Sequence, residues 1–407
     1  MSNFHDPVKH IKFLRQALSQ DKKPLGFFIS AGCPLAVNMP EGKWPLIADV
    51  AGLTKYLKEE LCSKTNDKNS FDKLLVEVEL SNKSIENVED ILSFIRGLKE
   101  VSIGNTVRGF TENELIDLEK DICSKIVSKL DVNLPDKESP YHKLAKWISI
   151  DREKPVEVFT TNYDLLLEQA FEDLAIPYFD GFVGSRQSFF DLRAVEDNLI
   201  PKHWTRLWKI HGSINWFQKK NKEVFRSSQT HEIDASHLIY PSHLKYEESR
   251  KMPYLALIDQ LNRFLRQPNS LLIISGYSFN DEHLNDTILS AIKSNPNTMV
   301  IAMMFQTLTY KVGEDIVMRY PKAMRLALNR SNLAIWGYDE AIIGTVRGKW
   351  KVIINPIEKD DNLGDTIVKE KIEDDVIVDY FKLGDFSKLG DFLQALIGYN
   401  QTVIDEK

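Results

Sequence analysis

The stretch EVFTTNYDLLLEQAFE, residues 157–172, leaves a strand through a polar turn and enters a helix. Val156, Val158 and Phe159 alternate loosely with polar neighbours, as a short buried strand does. Leu165, Leu166, Leu167, Ala170 and Phe171 form an apolar helical stripe. Between them TTNYD (160–164) falls at the carboxyl end of the strand, where open α/β sheets seat their ligands. Read by itself, the turn is an ordinary helix start, with Thr161 or Asn162 satisfying free backbone amides.

Working outward, the same grammar recurs. A short amphipathic helix over 8–20 precedes PLGFFISAGCP (24–34), an apolar strand that runs into a small-residue turn. From about 46 to 148 every segment has helical spacing, which predicts a helical subdomain inserted after the first strand. Strand patterning returns at 155–160, 238–240, 270–278, 298–305 and 333–337, with helices over 253–266 and 282–294. Strands alternating with helices predict an α/β fold with a Rossmann-like parallel sheet. KWKVIINPI (349–357) opens a small β/α extension that ends in a helix near 386–398. Four segments follow: 1–45 with the first strand and its turn, the insertion 46–150, the rest of the sheet domain 151–345, and the extension 346–407, a candidate assembly surface.

The chain has 407 residues, 43% hydrophobic and 27% charged, an ordinary globular balance with room for a large core. A net charge of −7 argues against bulk attraction to nucleic acid or anionic membranes, and KKNK (219–222) reads as a solvated turn. No apolar run reaches the length of a membrane span and the first residues lack a signal-peptide pattern, so a cytoplasmic location is expected. Cys33, Cys62 and Cys123 are too widely spaced for a disulfide framework or a CxxC zinc site. His231, His237 and His243 recur every six residues, a spacing that suits no common helical zinc pair.

Four turns carry the chemistry. In ISAGCP (29–34), Ala31 and Gly32 let backbone amides approach an anion. TTNYD is the second turn. LWKIHGSINWF (207–217) sets His211 beside Gly212, and SGYSFNDEH (275–283) offers Gly276, Ser278 and Asn280 to a sugar. Each alone has a plain structural reading: a tight turn, a helix cap, a packed histidine, a helix start capped by Asn280 or Asp281. Together, in order and in place, they resemble the sirtuin family. ISAGCP resembles its Gly-Ala-Gly loop, TTNYD its Thr-Gln-Asn-Ile-Asp turn, KIHGS its His-Gly motif and GYS its Gly-Thr-Ser turn. The variants TTNYD, HGSINW and GYSFNDEH are more similar to the bacterial anti-phage defence branch, the sirtuin-like partners of HerA-type ATPases, than to the protein deacylases.

The resemblance implies NAD as substrate, bound across the carboxyl edge of the sheet. The cofactor-binding positions it implies are Ala31, Gly32, Cys33, Thr161, Asp164, Gly276, Tyr277 and Ser278. The diphosphate would lie near Ala31 and Gly32, Asp164 would grip the nicotinamide carboxamide, and Gly276 and Ser278 would contact the second ribose. Asn162 and His211 match the catalytic asparagine and histidine. With water as acceptor, the products are nicotinamide and ADP-ribose. The resemblance further implies a homo-oligomer restrained until infection, a HerA-type ATPase partner, and DNA reached only through that partner. Two departures stand out: Ser30 and Pro34 replace a loop glycine and serine, and Pro34 removes an amide donor. The zinc cysteines of the deacylases are absent, so no structural zinc is expected. The competing readings are a deacylase or ADP-ribosyltransferase, an NAD- or ADP-ribose-sensing module, and a scaffold subunit of a DNA-translocating complex.

Overall fold

Six parallel strands set the frame of the computed structural model, which describes residues 3–65, 67–219, 221–229, 235–239, 253–352, 366–371 and 377–397. They are β1 (Leu25–Ile29), β2 (Glu157–Thr160), β3 (Thr205–Lys209), β4 (Leu271–Ser275), β5 (Met299–Met303) and β6 (Leu333–Trp336). Their order across the sheet is β3-β2-β1-β4-β5-β6, all parallel. This is the doubly wound Rossmann order, whose switch point lies between the first and fourth strands. Tyr178–Phe179 extends the sheet beyond β3, and the antiparallel strands Glu340–Ile343 and Val346–Trp350 extend it beyond β6, with Phe4–His5 at the far edge.

Strands covered on both faces need apolar residues throughout, and β1 (LGFFI) and β4 (LLIIS) are buried along their whole length. Successive residues then feed two cores. Leu25, Phe27 and Ile29 join the core shared with the helical insertion, whereas Phe28 joins the core on the opposite face.

The helices are α1 (Pro7–Leu18), α2 (Val50–Leu61), α3 (Ser70–Leu80), α4 (Val88–Val101), α5 (Glu112–Leu130), α6 (Pro140–Ile148), α7 (Leu166–Asp173), α8 (Leu192–Glu196), α9 (Tyr254–Leu265), α10 (Glu282–Ser294), α11 (Pro321–Leu328) and α12 (Phe386–Leu396). The insertion comprises α2 to α6 and connects β1 to β2. Its starts are strongly coded: Asn69, Thr111 and Ser139 each form a reciprocal capping box. Glu119 on α5 ties α4 through Arg96 and Lys99.

Two expectations change here. The 238–240 segment was expected in the parallel alternation, but Ala235–Ile239 pairs antiparallel with Gly212–Lys219 in a separate five-stranded sheet; Tyr240 lies outside the described residues. The third parallel strand is instead β3, TRLWK, which the strand patterning did not mark.

The extension folds back on the body. Ile367–Lys371 and Ile377–Phe381 form a hairpin, and α12 then packs on α6, with Lys143 paired to Asp391 and Gln394 Nε2 donating to Glu138 at 3.2 Å. Gly384 lies so close to β5 that a Cβ there would sit 1.8 Å from the Met304 carbonyl oxygen. Among the described residues, no helix is long and apolar enough to cross a membrane.

Candidate active site

The loops after β1 and β4 meet at the switch point. Ser30 N–H donates to Ser275 O at 3.1 Å, Gly32 N–H to Gly276 O at 3.0 Å, and Cys33 N–H to Ser30 O at 2.9 Å. Gly276 has φ +71°, and a Cβ on it would lie 2.7 Å from Cys33 N and 2.9 Å from Ser30 O. The approach is therefore backbone to backbone, which only glycine allows. A cleft of about 1060 Å³ opens above, lined by Ala31, Gly32, Thr161, Asn162, Asp164, His211, Gly276, Tyr277 and Ser278 among others. Every expected site residue except Cys33 reaches it. Cys33 is fully buried beneath, its amide committed to Ser30 and its thiol pushed up to about 12 by burial.

That geometry alters the expected anion cradle. The Gly32 and Cys33 amides are spent on protein carbonyls and Pro34 has none, which leaves the Ala31 amide as the loop's donor. Among the described residues the cleft lining holds Asp49, Glu86, Glu89, Asp164, Asp281 and Asp385 but no lysine or arginine. An anion here relies on backbone dipoles rather than on a paired cation.

The TTNYD turn is not a helix cap of the expected kind. Neither Thr161 nor Asn162 bonds an α7 amide; Asp164 Oδ1 accepts the Leu166 N–H at 3.1 Å instead. The two are directed toward the loop after β1. Thr161 Oγ1 pairs with Ser30 Oγ at 2.7 Å, and Asn162 Nδ2 reaches Ser30 O at 3.4 Å while its own N–H donates to Thr160 Oγ1 at 3.0 Å. Lys209, buried at the end of β3, donates to the Asp164 carbonyl and to Glu168 Oε1 at 2.7 Å. Burial pushes the Asp164 carboxyl above the usual carboxylate range, with Lys209 and the Leu166 amide pulling it partly back.

His211 follows β3 at a turn completed by Gly212, whose φ is +94°. Its Nε2 lies 3.2 Å from Asp281 Oδ2, with the two side chains only 12% and 9% exposed. Burial alone would lower the imidazole, but the Asp281 hydrogen bond and charge, with Glu89 behind them, hold it above its ordinary 6.5. The Tyr163 ring lies 6.5 Å away. Tyr277 is committed elsewhere: its hydroxyl donates to Asp281 O at 3.2 Å and Asn285 Oδ1 at 2.9 Å. Ser278 is exposed on the cleft wall.

Asp281, Glu89 and Asp385 are site residues that motif reading passed over. Asp281 caps α10 through Leu284 N–H at 3.1 Å, so in sequence it is indistinguishable from any helix cap. Glu89 reads as a first-turn acid of α4, and Asp385 as the cap of α12. Among the described residues no group of three or more histidines, cysteines or carboxylates could hold a metal. His237 packs on Phe217 at 4.8 Å, and His231 and His243 lie outside the described residues.

Residues 156–333 match the model of the SIR2-like domain. The match spans TTNYD, His211 and the β4 turn, but not β1 or its loop. No curated protein matches the chain. Among solved structures, a mutant Sir2 homologue in complex with ADP-ribose is 14% identical with a TM-score of 0.33, covering 72% of this chain and 84% of that chain. A Sir2 homolog–NAD complex is 12% identical with a TM-score of 0.31, covering 72% and 81%. At such scores the Rossmann-like description stands on the strand order itself.

Proposed function

We propose that this chain is an NAD+ glycohydrolase that breaks the nicotinamide–ribose bond and releases nicotinamide and ADP-ribose. One observation carries the reading: Asn162, Asp164 and His211 converge on one cleft at the carboxyl edge of the sheet, within the span that matches the SIR2-like domain. The cleft is at the upper end of ordinary ligand-site volumes, as a dinucleotide needs.

In this mechanism Asp164 holds the carboxamide. As the C1′–N bond breaks, its electron pair leaves with nicotinamide and positive charge builds on the ribose, in an oxocarbenium-like state. Asn162 is uncharged and serves to orient a ribose hydroxyl or the attacking water. His211 accepts the proton lost as water forms the new C1′–O bond. The carboxylates around the cleft favour the cationic ribose, while the Ala31 amide serves the diphosphate. The reading extends to a defence effector that depletes NAD, assembled as an oligomer and with a HerA-type ATPase.

The test is NAD loss and product identity for purified protein, alone and with a co-expressed HerA-type ATPase. Nicotinamide and ADP-ribose should appear with wild type and fall by at least about 100-fold in Asn162→Ala and His211→Ala. Turnover only in the presence of the ATPase would support the assembled effector. A second reading, binding without turnover, is favoured by the engaged Gly32 and Cys33 amides. ADP-ribose binding with no product under either condition would replace the first reading with the second.

A further inference from the structure

We propose that Asp281 is a positioning residue that fixes the tautomer of His211, leaving Nδ1 as the proton-accepting nitrogen. The inference rests on the reading of His211 as proton acceptor, and it names a residue that the four turns left as a helix cap.

The argument begins with distance. β3 and β4 are three strand spacings apart, roughly 14 Å, yet the residues that follow them meet at 3.2 Å. The segments after β3 and β4 must therefore close that gap between them, past the ends of β1 and β2. Asp281 then divides its carboxylate. Oδ1 accepts the Leu284 N–H that starts α10, and Oδ2 faces His211 Nε2. A carboxylate only accepts, so the proton of the neutral ring sits on Nε2, and Nδ1 keeps its lone pair.

The groups facing the ring are Asp281 from the start of α10, Glu89 from α4 and Tyr163 from the loop after β2. The two carboxylates favour the imidazolium that forms when Nδ1 takes a proton. This arrangement separates positioning from structure. Asparagine at 281 keeps the cap through its Oδ1 but turns Nδ2 toward Nε2, so Nε2 must accept and Nδ1 must carry the proton. Serine also caps α10, but it is too short to dictate the tautomer.

The experiment compares wild type, Asp281→Asn and Asp281→Ser. At pH 9, where the coupling to His211 has faded, melting temperatures should stay close, because all three residues cap well. kcat for NAD cleavage should fall at least about 100-fold in Asp281→Asn, with KM changing less than about threefold. Asp281→Ser should retain more activity than Asp281→Asn. A merely structural role predicts the reverse order, with the near-isosteric asparagine the better substitute, and that result would overturn the proposal.

Nitrogen NMR of the His211 ring, assigned by difference from His211→Gln, supplies a readout independent of turnover. Nε2–H should dominate in wild type and Nδ1–H in Asp281→Asn. The same tautomer in both would overturn the assignment even in an active enzyme. The expected switch in a protein that does not cleave NAD would retain the positioning and remove the proposed reaction.

Discussion

Gly276→Ala tests the backbone contact on which the whole cleft rests. Two costs can be read from the structure. At φ +71° an alanine pays the left-handed penalty of about 1–2 kcal/mol. Its Cβ would also lie 2.7 Å from Cys33 N and 2.9 Å from Ser30 O, backbone atoms that cannot swing aside as a side chain can. Relief requires separating the β1 and β4 loops, an overpacking cost of about 1–3 kcal/mol. The sum is about 2–5 kcal/mol. Gly313 gives the control, since it has φ +62° with nothing within 4 Å of its Cβ position, and so pays only the first cost. Thermal melts of both variants should show a Tm loss for Gly276→Ala about twice that of Gly313→Ala or more. Calorimetry with ADP-ribose should show weakened binding in the first variant alone. Equal Tm losses would refute the argument, because they would mean the loops separate at no cost.

The buried Lys209–Glu168 pair, 1% and 9% exposed, makes a second prediction. Lys209→Met strands a buried carboxylate and removes the donor to the Asp164 carbonyl, so denaturant unfolding should show a loss of about 3–5 kcal/mol. The double variant Lys209→Met/Glu168→Leu should recover most of it. A third concerns pH. His211 is raised above its unfolded value, so its coupling to Asp281 stabilises fully below about pH 6.5 and fades as pH rises through the folded value. The stability gap between wild type and Asp281→Asn should therefore be wider at pH 6 than at pH 9. A gap that does not change across that range would remove the linkage.

The legible parts of the sequence were those where one physical demand dominates. β1 and β4 are unbroken apolar runs because both faces are covered, and helices 253–266 and 282–294 show clean stripes that match α9 and α10 closely. β3 was hidden because Arg206 and Lys209 are charged yet buried, Arg206 donating to carbonyls of the loop just before it and Lys209 to Glu168 on α7. TTNYD was legible as a turn, but not in its direction. Asp164 took the capping role expected of Thr161 or Asn162, which freed Asn162 to face Ser30. The polar bonds of Tyr277 and the burial of Cys33 depend on neighbours hundreds of residues away or across a helix start. Asp281 illustrates the general limit, since one carboxylate can cap a helix and hold a histidine, and sequence displays only the local task.

The placement of Gly384 against Met304 has a consequence for how the molecule is made. A ribosome releases β1 early and β4 much later, and the segment 384–387 that completes the cleft wall emerges later still. The loops after β1 and β4 cannot meet until residues near 276 have been made, and the cleft wall stays incomplete until 384–387 follow. A nascent or interrupted polypeptide therefore carries the motifs without the cavity, and the cell meets a complete site only once translation has passed the last of these residues. Pulse-labelled chains truncated just before and just after this segment, and released from the ribosome, should differ in their capture on an immobilised dinucleotide.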